Sequence, residues 1–384
     1  MLDEYDSELQ EINKERRRLT HSTASSVDSQ SSHSRRRNVP MMYQMYESQY
    51  DDLRGTVYGP TSPEFHPVQA CEVLKKSFSG LETKDQVIIH TILFHDNFQR
   101  QKIMNAYEDL YGKSLLDDLE EECGGYFLEM VQALLRPAHH YDSHNLYKSI
   151  SNRYGDRSVA IEIACTRSAR QLRVIRETYA ADYKKSLEKD ISVKVEGSVG
   201  RILTLLLTKP REEPGKKLSE ELINEHVEIF MKNSIEEIAK NISFFESLFI
   251  GNSWKHMAAV FDKVDERKKE DKDLETVIRR NKTVHSEIKM IMLTCVRASR
   301  NMQLYFAEKL RAAMSGERPD HSTIIRICVS RSEMDLFDIC EEYKRKYHRA
   351  LEYDIQQTCS GEYLRLIISL LSGSSNNNNN TIYP

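Results

Sequence analysis

A six-position helical pattern, I-x3-Y-x3-Y-x3-L-x2-D-(L/I), occurs three times in this 384-residue chain. It runs Ile103, Tyr107, Tyr111, Leu115, Asp118, Leu119, and returns as Ile175, Tyr179, Tyr183, Leu187, Asp190, Ile191. The third copy is Ile339, Tyr343, Tyr347, Leu351, Asp354, Ile355. A blurred copy, Val260 and Val264, then Leu274, Val277 and Ile278 after a short insertion, fills the gap before the last. The starting points lie about 72, 85 and 79 residues apart. Helix-pair solenoids repeat every 20 to 50 residues or so, and a period this long must hold several helices per unit. The pattern therefore restricts the chain to a tandem array of four small helical bundles packed as one body, an all-α fold.

Length alone suggests two or three domains, and the repeat revises that to four modules. Apolar residues make up 39% and charged residues 30%, with a net charge of −4. A dedicated nucleic-acid binder carries a concentrated basic excess, which is missing here. Seven cysteines (71, 123, 165, 295, 328, 340 and 359) are scattered without CxxC spacing. That is the habit of reduced intracellular thiols acting as small core hydrophobes. The start, MLDEYDSELQ, is acidic where a signal peptide is basic and then apolar. No apolar run approaches the ~18 residues of a spanning helix. The expectation is a cytoplasmic protein, unless another route exports it.

Residues 1–65 read as a tail. Leu2, Tyr5, Leu9, Ile12 and Leu19 make one apolar stripe on a charged helix. Two readings stand for it: a docking helix for the groove of a protein partner, or an isolated helix that frays. The Ser-rich stretch from His21 to Asn38, with Arg16 to Arg18 and Arg35 to Arg37 beside it, has a disordered composition. Phosphorylation there is the alternative to plain disorder. Met41 to Pro67 reads as an extended linker. Helical units follow at 66–137, 138–208, 219–297 (degenerate) and 298–372. The run KPREEPGKKL at 209–218 links the two pairs, and 373–384 is an Asn-rich tail expected to be disordered.

Four units of about 70 residues with a longer linker after the second resemble the annexins. The local sequence agrees over about residues 67 to 372. Unit one carries NFQRQKIMNAYEDLYGKSLLDDLEEE, and unit two carries Thr166, Arg167 and Ser168. Unit four carries Ser330 to Phe337 and then Ser360, Gly361, Glu362 and Tyr363. The resemblance implies four five-helix repeats forming a curved disk whose convex face docks on acidic phospholipid through bound calcium. Its main calcium site reads (M)-(K/R)-G-x-G-T, then 38 residues, then Asp or Glu. Calcium takes six to eight hard oxygens at about 2.3–2.6 Å. A glycine-rich loop turns backbone carbonyls inward, and a carboxylate on the neighbouring loop adds to them.

Unit one keeps the spacing: Phe78, Ser79, Gly80, Leu81, Glu82, Thr83, then Glu122 after 38 intervening residues. Glu82 replaces the second glycine, which costs about 1–2 kcal/mol if the position needs a positive φ. The carbonyls of Phe78, Gly80 and Glu82 with the Glu122 carboxylate are thus the candidate ligands of a single weak calcium site. Unit two has Lys194 at the acid position, unit three has Asn281 there and no glycine loop near Lys232 to Glu237, and unit four has Thr358. Arg318 is a candidate contact for lipid phosphate, with a solvated loop arginine as the bland alternative.

The repeated tyrosines read as helix-packing residues, and Trp254 as core or interface packing. His139 and His140 lack partners at metal spacing. No phosphate loop, nucleophile elbow or acid/base pair gives reason to expect an enzyme. Two functions remain: peripheral binding to acidic phospholipid, including phosphatidylserine, with calcium through unit one at most, or a calcium-independent scaffold acting through the tail and the disk.

Overall fold

The computed structural model describes residues 53–78, 85–151, 156–211, 217–268 and 273–373. The amphipathic stripe, the Ser-rich stretch, Gly80 and Glu82, residues 212–216 of the linker and residues 374–384 lie outside this set.

The described residues are all-helical, with no strand among them. The first unit comprises α1 (Pro67–Ser77), α2 (Asp85–Phe94), α3 (Asn97–Tyr111), α4 (Leu115–Glu122) and α5 (Gly125–Leu135). The second has α6 (Ala138–Ser151), α7 (Ser158–Thr166), α8 (Ala169–Tyr183), α9 (Leu187–Lys194) and α10 (Gly197–Thr208). The third has α11 (Glu220–Lys232), α12 (Ile235–Lys240), α13 (Ile242–Phe249), α14 (Trp254–Lys268), α15 (Leu274–Arg280) and α16 (Ser286–Arg300). The fourth has α17 (Met302–Ala313), α18 (His321–Arg331), α19 (Leu336–Tyr347), α20 (Leu351–Thr358) and α21 (Gly361–Ser372). Helix α16 runs three residues past the boundary expected at 297/298, and Asn301 ends it while capping α17 through Leu304 N at 2.8 Å.

Local chemistry sets the helix ends. Asp96 and Ser168 open α3 and α8 with reciprocal capping boxes to Gln99 and Gln171. The third helix of units one, two and four ends in a left-handed residue, taken by Gly112 (φ 64°), Lys184 (φ 55°) and His348 (φ 56°). Only glycine enters that region without a Cβ penalty of about 1–2 kcal/mol, so the turn is kept in two units at some cost.

The recurring pattern builds the core. Ile103, Tyr107, Leu115 and Leu119 are buried, as are their counterparts in units two and four. The first tyrosine and the aspartate are also joined. Tyr107 Oη donates to Asp118 Oδ2, Tyr343 Oη to Asp354 Oδ2, and Tyr179 Oη to Asp190 Oδ2 at 2.8 Å. In unit three Val264 and Val277 replace both partners, leaving neither a donor nor an acceptor stranded.

The tail is shorter than the sequence reading made it. Residues 53–65 lie on the helical body: Thr56 N donates to Ser332 O at 2.7 Å, and the Arg54 guanidinium pairs with Asp338 at 2.8 Å. Val57 is buried, Gln99 Nε2 donates to Pro60 O at 2.8 Å, and Phe65 stands edge-on to His95. This strap ties unit one to unit four. Its composition resembles a linker, because its stabilisation comes from partners more than 270 residues away in sequence.

Trp254 is buried between units two and three, where its Nε1 donates to Cys165 O at 3.4 Å and Arg211 stacks on its ring. The start of the 209–218 linker is pinned as well, by Lys209 to Glu246 at 2.7 Å.

Candidate functional site: the loops at the helix ends

In each unit the loop between the first two helices and the loop between the last two carry the residues at issue. In unit one Ser114 caps α4, and Glu122 is the exposed final residue of that helix. Cys123 and Gly124 follow, and Gly125 opens α5 with φ 60°. Gly197 (φ 69°) and Gly361 (φ 62°) open α10 and α21 in the same way. Phe78 closes α1 in right-handed helical geometry. Of the four sequence-named calcium ligands, the structure therefore places Phe78 and Glu122.

The other units close their loops internally. Lys194 pairs with Asp190 at 3.2 Å and lies over the Tyr147 ring. In unit three the first connection is only Asn233 and Ser234, after which the extra helix α12 begins with a Ser234–Glu237 capping box. Glu236 on that helix accepts from Thr283 Oγ1 at 2.6 Å, joining the two loops directly. In unit four Gly316 takes φ 99° and Arg318 is exposed. There Thr358 Oγ1 donates to Asp354 O at 2.7 Å, and Asp320 caps α18 through Thr323 N at 3.0 Å. None of these three units offers calcium a loop carboxylate at the expected position.

For unit one the donor chemistry fits a hard cation only in part. The expected set is one carboxylate plus backbone carbonyls, and the carboxylate stands exposed at the right helix end. Among the described residues no three His, Cys, Asp or Glu side chains gather as a metal cluster.

Sequence reasoning missed the buried ion pairs within and between the units. Arg326 on α18 and Lys309 on α17 both reach Glu162 on α7. Arg167 pairs with Asp142 and Arg331 with Asp335, all four fully buried. Arg100 pairs with Glu333 at 3.2 Å, and burial pushes that carboxyl up to about 7 against the pull of Arg100. The triplets Thr166-Arg167-Ser168 and Ser330-Arg331-Ser332 were the available signal, since an arginine ending an apolar helix needs a buried partner.

A family model described as Annexin matches residues 69–134, 141–206 and 305–370. Annexin A6 of Mus musculus is 32% identical over 339 residues, covering 86% of this chain and 49% of that protein. Annexin A5 of Bos taurus is 31% identical over 324 residues, covering 84% of this chain and 99% of that protein. The crystal structure of chicken annexin V in complex with Zn2+ superposes with a TM-score of 0.76 at 30% identity, covering 84% of this chain and 99% of that one. This chain belongs to the annexin family, and the three matched segments fall in its first, second and fourth repeats. It spans about half the length of annexin A6 and nearly all of annexin A5.

Proposed function

We propose that the protein binds acidic phospholipid surfaces peripherally, with calcium taken up through repeat one alone. The observation carrying this is the exposed Glu122 carboxylate at the end of α4, beside the positive-φ Gly125, while the matching positions elsewhere hold Lys194, Asn281 and Thr358. Phe78, Gly80 and Glu82 would supply carbonyl oxygens, and calcium would supply the charge that bridges protein and lipid phosphate. Arg318, exposed on the corresponding loop of repeat four, adds a cation toward the same lipid. No helix among the described residues is long and apolar enough to cross a membrane, in keeping with attachment from one side. The location that follows is the cytoplasmic surface of a membrane. The protein acts by binding rather than by catalysis.

Calorimetry tests the site: one weak calcium event is expected, roughly 10⁻⁴ to 10⁻³ M as imperfect extracellular-type sites show, and Glu122→Gln should remove it. Several strong sites, or binding that survives Glu122→Gln, would place the metal elsewhere. The lack of an acid at the matching position of repeats two to four, where Lys194, Asn281 and Thr358 stand, favours a second reading, a scaffold that works without calcium through its N-terminal tail and helical body. Sedimentation with phosphatidylserine vesicles, with calcium or with chelator, separates the two.

A further inference from the structure

The junction of repeats one and four holds a depression of about 430 Å3, at the ends of α2, α18 and the loops entering α5 and α21. Its polar groups have an unusual balance. Asp85, the first residue of α2, and Glu362, the second residue of α21, both line it. Glu362 pairs through Oε1 with Arg365 at 2.7 Å, but its Oε2 is buried with no hydrogen-bond partner. Burial first, and the Glu362 charge second, push the Asp85 carboxyl above its usual range, with Arg365 opposing. Tyr363 is only 6% exposed, and its hydroxyl, beside the Cys359 thiol, has no nitrogen or oxygen partner. The His321 Nδ1 is likewise buried and unpaired. Tyr126, His321 and Tyr363 pack into one aromatic wall, with ring centroids 4.3, 5.4 and 5.5 Å apart.

The matching junction of repeats two and three shows what completes such a site. Asp85 corresponds to Arg157 at the start of α7, and Glu362 corresponds to Glu287, again the second residue of its helix. There Arg157 Nη1 meets Glu287 Oε1 at 2.9 Å, so the cation is built into the chain. At the one/four junction the acid is retained and the cation is replaced by a second acid. The carboxylates of Asp85, Glu122 and Glu362 and an aromatic wall attract positive charge. A bare metal ion does not suit them, because no metal-holding cluster forms among the described residues and the space far exceeds one ion. The unpaired Glu362 Oε2 and a buried phenol call for a ligand that donates hydrogen bonds.

We propose that this pocket binds a primary ammonium group, held between Asp85 and Glu362 against the Tyr126–His321–Tyr363 wall. Either a free alkylamine or the amine of a phospholipid headgroup supplies that chemistry. Glu122 also lines this depression, so calcium and an amine would compete there, and the test excludes calcium to keep the two readings apart.

The test uses the full chain in calcium-free buffer with chelator and ethanolamine as the probe, followed by saturation-transfer NMR and calorimetry. Saturable binding is expected, weakened tenfold or more by Glu362→Gln and by Asp85→Asn, and several-fold by Tyr363→Phe. Tetramethylammonium, which has no N–H, should bind at least tenfold more weakly than ethanolamine. Asp85→Arg copies the two/three junction; it should abolish binding while leaving the thermal midpoint equal or higher, which separates loss of ligand from loss of fold. Phosphatidylcholine vesicles with and without phosphatidylethanolamine distinguish the sources. Retention that depends on phosphatidylethanolamine and falls with Glu362→Gln assigns the lipid amine, and ethanolamine binding without such retention assigns a free amine. No saturable ethanolamine binding, binding unaltered by both acid variants, or equal binding of tetramethylammonium would overturn the proposal.

Discussion

The two junctions of this molecule solve one problem in opposite ways. Between repeats two and three, Arg157–Glu287 closes the loop side, and Trp254, Cys165 and Cys295 pack at the other end of α7, the two sulfurs 3.7 Å apart. Between repeats one and four, the loop side is open and acidic. The far ends of α2 and α18 are instead bound together by the 53–65 strap and the Arg100–Glu333 pair. Similar helices thus meet once through a self-contained ion pair and once through a segment from outside the repeats. The lesson is that a repeat fixes the packing faces but leaves each junction free to choose its polar closure.

The largest effect should come from the charge that reaches across both pairs. Glu162 is fully buried and receives Arg326 and Lys309. Removing one partner of a buried pair strands the other, at a cost of about 3–5 kcal/mol. Glu162→Gln should therefore lower urea stability by that order. A loss under about 1 kcal/mol would show that α17 and α18 are held against α7 by packing alone.

Next comes the strap. A chain beginning at Pro67 should lose about 2 kcal/mol from Val57 burial alone, while one beginning at Leu53 should keep the full midpoint. Equal midpoints for the two chains would return the strap to the status of a tail.

A smaller and more pointed contrast uses the equivalent acids. Glu287→Gln leaves Arg157 short of its carboxylate at a partly buried site, for a loss of about 1.5 kcal/mol or more. Glu362→Gln relieves repulsion with Asp85 and loses only a pair to an exposed arginine, so its change should stay within about 0.5 kcal/mol. Equal losses at the two positions would erase the distinction between the junctions.

A pH dependence weighted toward the first pair of repeats is expected as well. Burial chiefly, helped by Arg100 and His90 against the Thr91 bond, holds His95 down at about 4. Burial and the neighbouring His140 hold His139 at about 4, and burial with Arg136 and Lys148 does the same for His144. A histidine depressed in the folded state contributes its full stability above the unfolded value near 6.5 and loses it as pH falls toward 4. Glu333, raised to about 7, acts with the opposite sign, adding stability as pH falls from 7 through its unfolded value. Urea midpoints should be lower near pH 5 than near pH 7.5, and the drop should be smaller than the three histidines alone would give. A midpoint that rises on acidification would mean the carboxyl outweighs them.

Much of the fold was legible because it is written in local period. Ile103, Tyr107 and Leu115 fall on one helix face through spacing alone, and the third repeat stayed recognisable through Val260, Val264 and Ile278 despite its insertion. The Tyr–Asp bonds were half legible: both residues stood in the pattern, but the link crosses a turn between helices, and only the joint loss of both at Val264 and Val277 hints at it. Helix α12 was invisible as such, since six residues with a capping box read equally as loop. The candidate calcium ligands follow from the resemblance to the annexin motif, and the structure adds the side-chain partners of Lys194, Glu236 and Thr358 in the other units.

The sequence by itself determined most of the helices and their apolar faces, because helical geometry relates residues three and four apart without reference to anything distant. Tertiary structure decided the strap, the Glu162–Arg326 and Arg100–Glu333 pairs and the acidic pocket. Those contacts join residues 164 to 284 positions apart. They exist only once the fourth repeat has closed on the first and second, and no local period records which side chains then come face to face.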